Sequence, residues 1–295
     1  MTQAWRNNLR ICLFFCTFVA AMKHIRIISP SGAIENAYIT RAKERLERWG
    51  HRVSVGTHAM GQCGRFSGTE AERLADLNDA LADASVDVIM CSRGGYGLQE
   101  IVDKIVLPTR EKDTWPLLVG FSDVTVLHVL MNLNGVASLH APMCKALATW
   151  DDEDASLLAL KRCLEGDMRA AAVPGKEDEV VIGGNLSVLY GLQGTPYSLN
   201  AIIDTLDEPP MLLLEDICER HYHIDRMMHN LRLSGVLNRV KGVIVGQFTD
   251  CDDDPRMGCT VQETIAQVAS QVGCPVYAGL LYGHEDVNMP VRMGR

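Results

Sequence analysis

The chain lacks any run of lysine and arginine long enough to follow a nucleic-acid backbone. Its 28 Lys and Arg residues are outnumbered by 37 Asp and Glu residues, and the formal net charge is -9 at pH 7. This acidic balance disfavours binding to a phosphate backbone. We therefore expect no nucleic-acid partner.

Metal-site spacing is also missing. Ten cysteines are scattered along the chain without a CxxC pair or a Cys/His ligand pattern, which favours free thiols in a reducing compartment. His221, His223 and Asp225 form an HxHxD cluster, but positions i and i+2 at a helix start point to different faces. The sequence thus predicts no metal site and favours the cytoplasm.

Near the N-terminus, the apolar stretch RICLFFCTFVAAM is too short to span a bilayer. It has the length of a signal-peptide core, and VAA at 19–21 resembles a cleavage site, which would make the protein exported. Alternatively Met22 is the true start, because MKHIRIISPSG opens directly into a strand. We favour this second interpretation because the cysteines favour the cytosol. In both cases we exclude residues 1–21 from the prediction of the fold, and we expect no stable membrane insertion.

Apolar strand-like runs alternate with helical patterns, and the chain has no repeats. Runs such as VDVIMCS and WPLLVG are continuous, which is typical of parallel strands covered by helices on both faces. The fold class is therefore α/β. With 295 residues the chain is long enough for two domains. We expect one domain at 22–145, a connector at 146–178 and a second domain at 179–295.

Three polar turns follow predicted strands, namely SPSG (29–32), SRGGYG (92–97) and GFSD (120–123). In an open parallel sheet the ligand crevice lies outside the carboxyl ends of the strands. The three turns should therefore meet at one edge of the sheet.

Ser122 lies at the corner between the strand WPLLVG and the helix DVTVLHVLMNLNG. A hydroxyl at this corner faces the free N–H groups of a helix N-terminus, as in a nucleophile elbow, although GxSxG is not met because Val124 follows two residues later. On the local pattern alone, a helix-capping serine is the favoured interpretation. In SRGGYG, the amide of Gly94 or Gly95 could complete an oxyanion hole with that of Asp123, and Arg93 could bind a carboxylate. A glycine-rich turn without a ligand is the alternative.

A serine nucleophile requires a base and a group that orients the base. His284 follows the run CPVYAGLLYGH, which predicts a long strand, and Glu215 ends the apolar run MLLLE. Both side chains are placed where a site can be built. An exposed carboxylate at a strand end is the alternative for Glu215.

Six motifs occur in the order and spacing of a known family: IISPSG, SRGGYG, GFSDVT, GGNLS, LLLEDICERHYHIDRM and YGH. From about residue 24 to the last residue, the chain resembles the LD-carboxypeptidases (muramoyltetrapeptide carboxypeptidases), serine peptidases that include the microcin C immunity peptidases. Two features depart from the resemblance. The chain stops at MPVRMGR, where we expect relatives to continue, and ERHYHIDR is unusually rich in histidine.

The resemblance implies an N-terminal parallel-sheet domain similar to class I amidotransferase domains and a β-rich α/β C-terminal domain. It implies a catalytic triad of Ser122, Glu215 and His284, with oxyanion-hole amides at Gly95 and Asp123. It also implies that neither a metal nor an organic cofactor is used.

The implied substrate is a murein tetrapeptide, from which the enzyme releases terminal D-alanine by cutting the bond after the L-centre of the diamino acid. We expect Arg93, Gly94 and Asn185 to contact this peptide. One alternative is an immunity-type peptidase that cleaves peptidyl- or aminoacyl-nucleotide antibiotics. A second is a non-catalytic protein that binds a small ligand. A homodimer is compatible with the sequence, which does not determine the oligomeric state.

Overall fold

The computed structural model describes residues 22–295, so the predictions for residues 1–21 lie outside it. Two sheets organise this part of the chain. The strands are β1 (His24–Ile28), β2 (Arg52–Val55), β3 (Val88–Cys91), β4 (Leu117–Gly120), β5 (Ser138–His140), β6 (Val181–Asn185), β7 (Met211–Ile217), β8 (Gly242–Thr249), β9 (Val276–Tyr277) and β10 (Val291–Met293). The helices are α1 (Asn36–Arg48), α2 (Glu70–Ala82), α3 (Thr125–Leu133), α4 (Cys144–Thr149), α5 (Ala155–Leu164), α6 (Leu186–Gly191), α7 (Leu199–Ile203), α8 (His221–Leu233) and α9 (Val261–Ser270).

The first sheet has the strand order β2-β1-β3-β4-β5-β10, and the second has the order β6-β7-β8-β9. All neighbouring strands are parallel except β10, which runs antiparallel to β5. The α/β class with a parallel sheet in each half is therefore confirmed. The last strand, although it belongs to the 179–295 segment, is hydrogen-bonded to the sheet of the N-terminal half.

The first sheet is apolar on both faces because successive side chains of its strands alternate between two cores. In β3, Val88 and Met90 pack with α1, α4 and α5 on one face. Ile89 and Cys91 pack on the other face, in a cluster that also contains α2 and α3. That second cluster continues into α6, α7 and α8 of the C-terminal half. The two halves consequently share one apolar core, in which α3 is central.

Two helix starts carry the capping box that the sequence shows at Thr69. The Thr69 hydroxyl accepts from the Glu72 N–H, and the Glu72 carboxylate accepts from the Thr69 N–H, so two otherwise unpaired donors are satisfied. Thr260 and Glu263 repeat this arrangement at the start of α9. The predicted start of α2 is confirmed.

Two predicted elements are wrong. The run CPVYAGLLYGH forms only the two-residue strand β9, and residues 278–284 continue as irregular chain. Positive φ angles of 82° at Gly279 and 138° at Gly283 turn the backbone away from a strand path. The stretch LQEIVDKIV (98–106) has a helix-like pattern, which predicts a helix, but it forms two single 3-10 turns, Leu98–Glu100 and Val102–Lys104.

Within residues 22–295, no helix is long and apolar enough to cross a membrane. The eight cysteines in this range are all free thiols, and four of them are buried. Burial raises the pKa of the Cys144 thiol to about 12, so this group stays protonated and behaves as a small apolar side chain.

Arg73, on α2, joins two of the polar turns at the carboxyl edge of the first sheet. Its guanidinium is buried and donates to the carbonyl oxygens of Pro30 and Gly97, each at 3.0 Å. It also forms an ion pair with Glu100 at 2.7 Å and lies over the Phe66 ring, 4.6 Å from its centroid. One buried cation therefore holds the turn after β1 against the turn after β3.

We predict that Arg73→Met lowers the free energy of unfolding by about 2–4 kcal/mol, because it leaves two buried carbonyl groups and Glu100 without their cation. Urea unfolding followed by circular dichroism measures the change. The control is Arg48→Met, which removes a guanidinium from an exposed position on α1. Equal stabilities of the two variants would contradict the role assigned to Arg73.

Candidate active site

The three polar turns meet at the carboxyl edge of the first sheet, as predicted. The N–H of Gly32 donates to the carbonyl oxygen of Gly94 at 3.0 Å. The Ser31 hydroxyl donates to the Asp123 carboxylate, which also accepts from the N–H of Leu98 at 3.1 Å. Each turn is thus hydrogen-bonded to at least one other, and together they form a single rigid surface.

Ser122 occupies a strained corner between β4 and α3. Its φ angle is 67°, in the left-handed region that non-glycine residues rarely adopt. Ser122 is the first residue of the 3-10 turn Ser122–Val124, whose N-cap is Phe121, and the N-cap of α3 is Val124. Ser122 therefore occupies neither capping position, and the capping interpretation fails. Strain of this kind at a strand-to-helix turn is characteristic of a nucleophile elbow.

Gly94 lies directly against this serine. A Cβ atom at Gly94 would lie 2.7 Å from the Ser122 Cβ and 2.9 Å from its Oγ, closer than non-bonded atoms approach. It would also lie 3.1 Å from the backbone nitrogen of Asp123. The position therefore requires glycine for space, and Gly94 shapes the surroundings of the hydroxyl.

The N–H groups of Gly95 and Asp123 lie on the two turns that flank Ser122. Neither donates a hydrogen bond to another residue of the 22–295 range. Gly95 has a φ angle of 109°, which only glycine adopts easily. Two unengaged N–H donors beside a hydroxyl are the components of an oxyanion hole.

The Asp123 side chain has a structural role. It is buried, and its carboxylate is used by Ser31 and Leu98, away from any histidine. Burial raises the pKa of Asp123, while the two hydrogen bonds oppose that rise. This carboxylate therefore fixes the turns in place and is paired with no histidine of residues 22–295.

Glu215 and His284 form a hydrogen-bonded pair. The His284 Nδ1 lies 2.8 Å from the Glu215 Oε2, and the Glu215 side chain is fully buried within β7. Burial alone would raise the pKa of Glu215, but the nearby His140 ring and the hydrogen bond with His284 lower it to about 2. The carboxylate is therefore ionised at neutral pH and can hold the imidazole in one orientation.

His284 lies beside the serine corner, although it does not follow a long strand as the sequence suggested. Its ring packs on the ring of Phe121, the residue before Ser122, with centroids 4.7 Å apart. Within the described chain, no hydrogen bond joins the Ser122 hydroxyl to His284. Catalytic hydrogen bonds of this type commonly tighten only when substrate binds.

A pocket of about 260 Å³ opens next to Gly95 and contains two arginines. Arg93 donates to the Ala33 carbonyl oxygen at 2.7 Å, and Arg65 lies over the Tyr96 ring at 5.2 Å. Neither arginine forms an ion pair with an acidic side chain of residues 22–295. The two guanidinium groups can therefore bind an anionic part of a ligand. Sequence reasoning missed Arg65, whose only signal is its position in the glycine-flanked stretch GRFSG.

A larger groove of about 940 Å³ lies away from these residues, between the segments 168–173, 176–181 and 206–209. It is lined by side chains of both charges, including Lys241, which already bonds to Glu179 and Glu208. None of the side chains that form the serine corner reaches it. Size alone therefore does not identify the functional site.

Two sequence-derived candidates have internal roles. The amide nitrogen of Asn185 donates to Asp216 at 3.0 Å, and its amide oxygen accepts from the Val188 N–H and caps α6, so we do not retain it as a substrate contact. His221 and His223 diverge as predicted. The Nε2 of His221 bonds to Thr264, whereas His223 is paired with Glu219.

Comparison with known proteins identifies the family of the chain. Residues 25–141 match the LD-carboxypeptidase N-terminal domain, and residues 180–295 match the LD-carboxypeptidase C-terminal domain. The chain belongs to the LD-carboxypeptidase family.

Curated relatives of this LD-carboxypeptidase family member carry related names. The probable murein peptide carboxypeptidase of Bacillus subtilis is 30% identical over 92% of this chain and 86% of its own length. The murein tetrapeptide carboxypeptidase of Pseudomonas aeruginosa is 27% identical over 90% of this chain and 89% of its own length. The resemblance thus extends over nearly all of each protein.

Solved structures share the fold of this LD-carboxypeptidase. The muramoyltetrapeptide carboxypeptidase from Oxalobacter formigenes aligns with a TM-score of 0.76 and 23% identity, covering 92% of this chain and 93% of that one. The microcin C7 self immunity protein MccF aligns with a TM-score of 0.75 and 18% identity, covering 93% and 92%. At these identities the likeness is one of fold.

We predict that Gly94→Ala lowers the kcat/KM of LD-carboxypeptidase activity by roughly 100-fold, because the added methyl group displaces Ser122 by a fraction of an ångström or more. Release of D-alanine from a tetrapeptide measures the loss. Gly191→Ala is the matched control, since its new Cβ meets only the flexible end of Gln99. If both variants keep wild-type kcat/KM, the close contact between Gly94 and Ser122 does not constrain the site.

Proposed function

We propose that the protein is a serine-type LD-carboxypeptidase that releases the terminal D-alanine from murein tetrapeptide. The observation that carries the proposal is the strained Ser122 beside a histidine that is hydrogen-bonded to a buried, ionised glutamate. This is the arrangement of nucleophile, base and orienting group that acyl transfer requires. The names of the full-length relatives support murein peptide as the substrate.

In the proposed reaction His284 accepts the proton of the Ser122 hydroxyl as the oxygen attacks the scissile carbonyl carbon. The N–H groups of Gly95 and Asp123 stabilise the oxyanion that forms. The C–N bond then breaks, and His284 donates its proton to the amine of the departing D-alanine. A water molecule, deprotonated by His284, hydrolyses the acyl-serine and restores the hydroxyl.

Glu215 stabilises the imidazolium that forms in each half of this reaction. With a pKa of about 2, its carboxylate remains charged over the whole range in which a histidine titrates. It therefore accepts the Nδ1–H of His284 throughout and leaves Nε2 to exchange protons with Ser122. Asp123 contributes its backbone N–H to the oxyanion hole and its carboxylate to the loop structure.

The pocket beside Gly95 is the proposed binding site for the carboxylate of D-alanine. A carboxypeptidase must recognise the free chain terminus, and Arg65 and Arg93 place two cations next to the proposed oxyanion hole. Guanidinium groups bind carboxylates with two parallel hydrogen bonds. The leaving group would thus be held on the Gly95 side of Ser122.

The proposal assigns the nucleophile to a domain of residues 22–145, similar to class I amidotransferase domains, and the glutamate and histidine to residues 179–295. Residues 146–178 connect them. We infer a cytoplasmic location from the free thiols. The likeness to MccF favours cleavage of microcin C-type nucleotides as a second candidate activity, for which the proposed triad would also serve.

We predict that Ser122→Ala lowers D-alanine release by roughly 10⁴–10⁶-fold, because only binding and oxyanion effects remain. The assay quantifies D-alanine with D-amino acid oxidase after incubation with the tetrapeptide. Ser270→Ala, which removes an exposed hydroxyl on α9, is the matched control and should keep full activity.

A tetrapeptide that ends in L-alanine should resist the wild-type enzyme, and a microcin C-type aminoacyl nucleotide forms a second arm of the assay. If the wild type cleaves the nucleotide in preference to the tetrapeptide, the substrate is the nucleotide and not murein peptide. The proposed triad would still stand. Full activity of Ser122→Ala on every substrate would exclude the serine mechanism.

We predict that Arg93→Met raises the KM for the tetrapeptide by about 10–100-fold and changes kcat by only a few fold, because a charge-assisted hydrogen bond to the bound terminus is lost. Steady-state kinetics with the tetrapeptide and its C-terminal amide separate this effect from general damage. The wild type should disfavour the amide, whereas Arg93→Met should treat the two alike. If Arg93→Met prefers the free carboxylate as strongly as the wild type does, Arg93 does not bind the substrate carboxylate.

A further inference from the structure

His140 is a buried histidine that the proposed mechanism leaves without a role. It ends β5, its side chain is fully buried, and neither ring nitrogen has a hydrogen-bond partner within residues 22–295. One carboxylate oxygen of Glu215, Oε1, also has no hydrogen-bond partner within this range. These two unpaired groups face each other, with the His140 Nε2 4.0 Å from Oε1.

Leaving both groups unpaired is costly, because a buried polar atom without a partner loses its hydration without compensation. Apart from Glu215, the surroundings of His140 offer few hydrogen-bond partners. The Phe121 ring lies on one side, with centroids 5.5 Å apart, and the His128 ring lies on another at 6.2 Å. His128 is already engaged by Ser138 and by the carbonyl oxygen of Gly120. Glu215 is therefore the partner to which His140 can bond.

We propose that His140 is a positioning residue whose Nε2–H donates to Glu215 Oε1 in the working enzyme, so that both carboxylate oxygens are held. A shift of about 1 Å closes the gap to an ordinary hydrogen-bond length. The inference rests on the proposed function of Glu215 and His284. It adds a group to the triad that touches neither substrate nor nucleophile.

The position of His140 explains how such a bond would act. His140 is paired with Gly120 in the β4–β5 register, two residues before Ser122. Glu215 belongs to β7 of the other sheet and bonds to His284 from a third segment. A bond from His140 to Glu215 thus fixes the glutamate–histidine pair relative to the strand that carries the nucleophile. Without this bond the glutamate–histidine pair could shift relative to the nucleophile, while the substrate pocket would stay intact.

A His140 ring that carries a proton on Nε2 suits this role. The ionisable groups facing Glu215 are His140 from β5, His284 from the irregular chain after β9, and the adjacent Asp216 in β7. His128 on α3 lies behind His140. Burial raises the pKa of Glu215, and His140 is one of the two groups that lower it. Removing His140 should therefore raise the pKa of this carboxyl.

The test compares His140→Leu and His140→Asn, which have no N–H at the Nε2 position, with His140→Gln, which can place one there. For D-alanine release we expect kcat to fall about 10–100-fold in the first two variants with KM unchanged, the loss of one charge-assisted hydrogen bond. His140→Gln should recover most of the wild-type kcat. His51→Gln, at a buried histidine before β2 that also has an unpaired ring nitrogen, is the control and should match the wild type.

A second readout does not depend on the substrate. Carbon-13 NMR of glutamate-labelled protein follows the Glu215 carboxyl during a pH titration, with Glu215→Gln used to assign the resonance. We expect the pKa of Glu215 to rise in the Leu and Asn variants and to stay near the wild-type value in His140→Gln. If His140→Leu fails to fold, the contrast between Asn and Gln decides.

Wild-type kcat and an unchanged Glu215 pKa in the Asn variant would overturn the inference. So would equal losses in the Asn and Gln variants, which would indicate a purely packing role. If the wild type releases no D-alanine at all, the proposed substrate fails, while the NMR comparison still decides whether His140 holds Glu215.

Discussion

The site depends on one constraint, which is that a carboxylate enclosed by protein must stay charged. Glu215 has no exposed surface, and burial alone would push its pKa upward. An ion of this size loses several kcal/mol when it leaves water without good partners. The hydrogen bond with His284 supplies part of that compensation, and the same bond orients the His284 ring. The geometry of the proposed base is therefore a consequence of keeping Glu215 ionised.

The shared apolar core gives this arrangement its rigidity. Ser122 comes from one half of the chain and the Glu215–His284 pair from the other, so the site would fail if the halves moved independently. The helix α3, which begins just after Ser122, packs against β6, α6 and α7 of the second half. The strand β10 crosses back and pairs with β5, which carries His140. The proposed catalytic groups are thus fixed by packing on both sides.

The site also requires the backbone of the polar turns to lie very close to Ser122 at the edge of the first sheet. The turn at Gly94 has room for no side chain against Ser122, and the serine itself holds a left-handed backbone conformation. Such strain persists only where the surroundings determine it strongly. Here the buried Arg73 and the Asp123 carboxylate hold the turns together through hydrogen bonds. The side chain of Asp123, the residue after the proposed nucleophile, is part of this support.

Much of the architecture could be predicted from the sequence, because apolar periodicity and capping residues act locally. Such patterns predict the runs of β3 and β4, the Thr69 capping box and the meeting of three polar turns at one edge. Ser122 lies in one of these turns, which makes it a candidate site residue. The three-residue strand β5 is too short for a pattern, so His140 at its end received no role. The apolar run before His284 looked like a strand, yet its glycines make it irregular. The family resemblance implied the triad, and what the tertiary structure alone decided is that His140 also faces the Glu215 carboxylate. The pairing of Glu215 with His284 joins residues 69 positions apart, and it depends on distance and burial that no local pattern encodes.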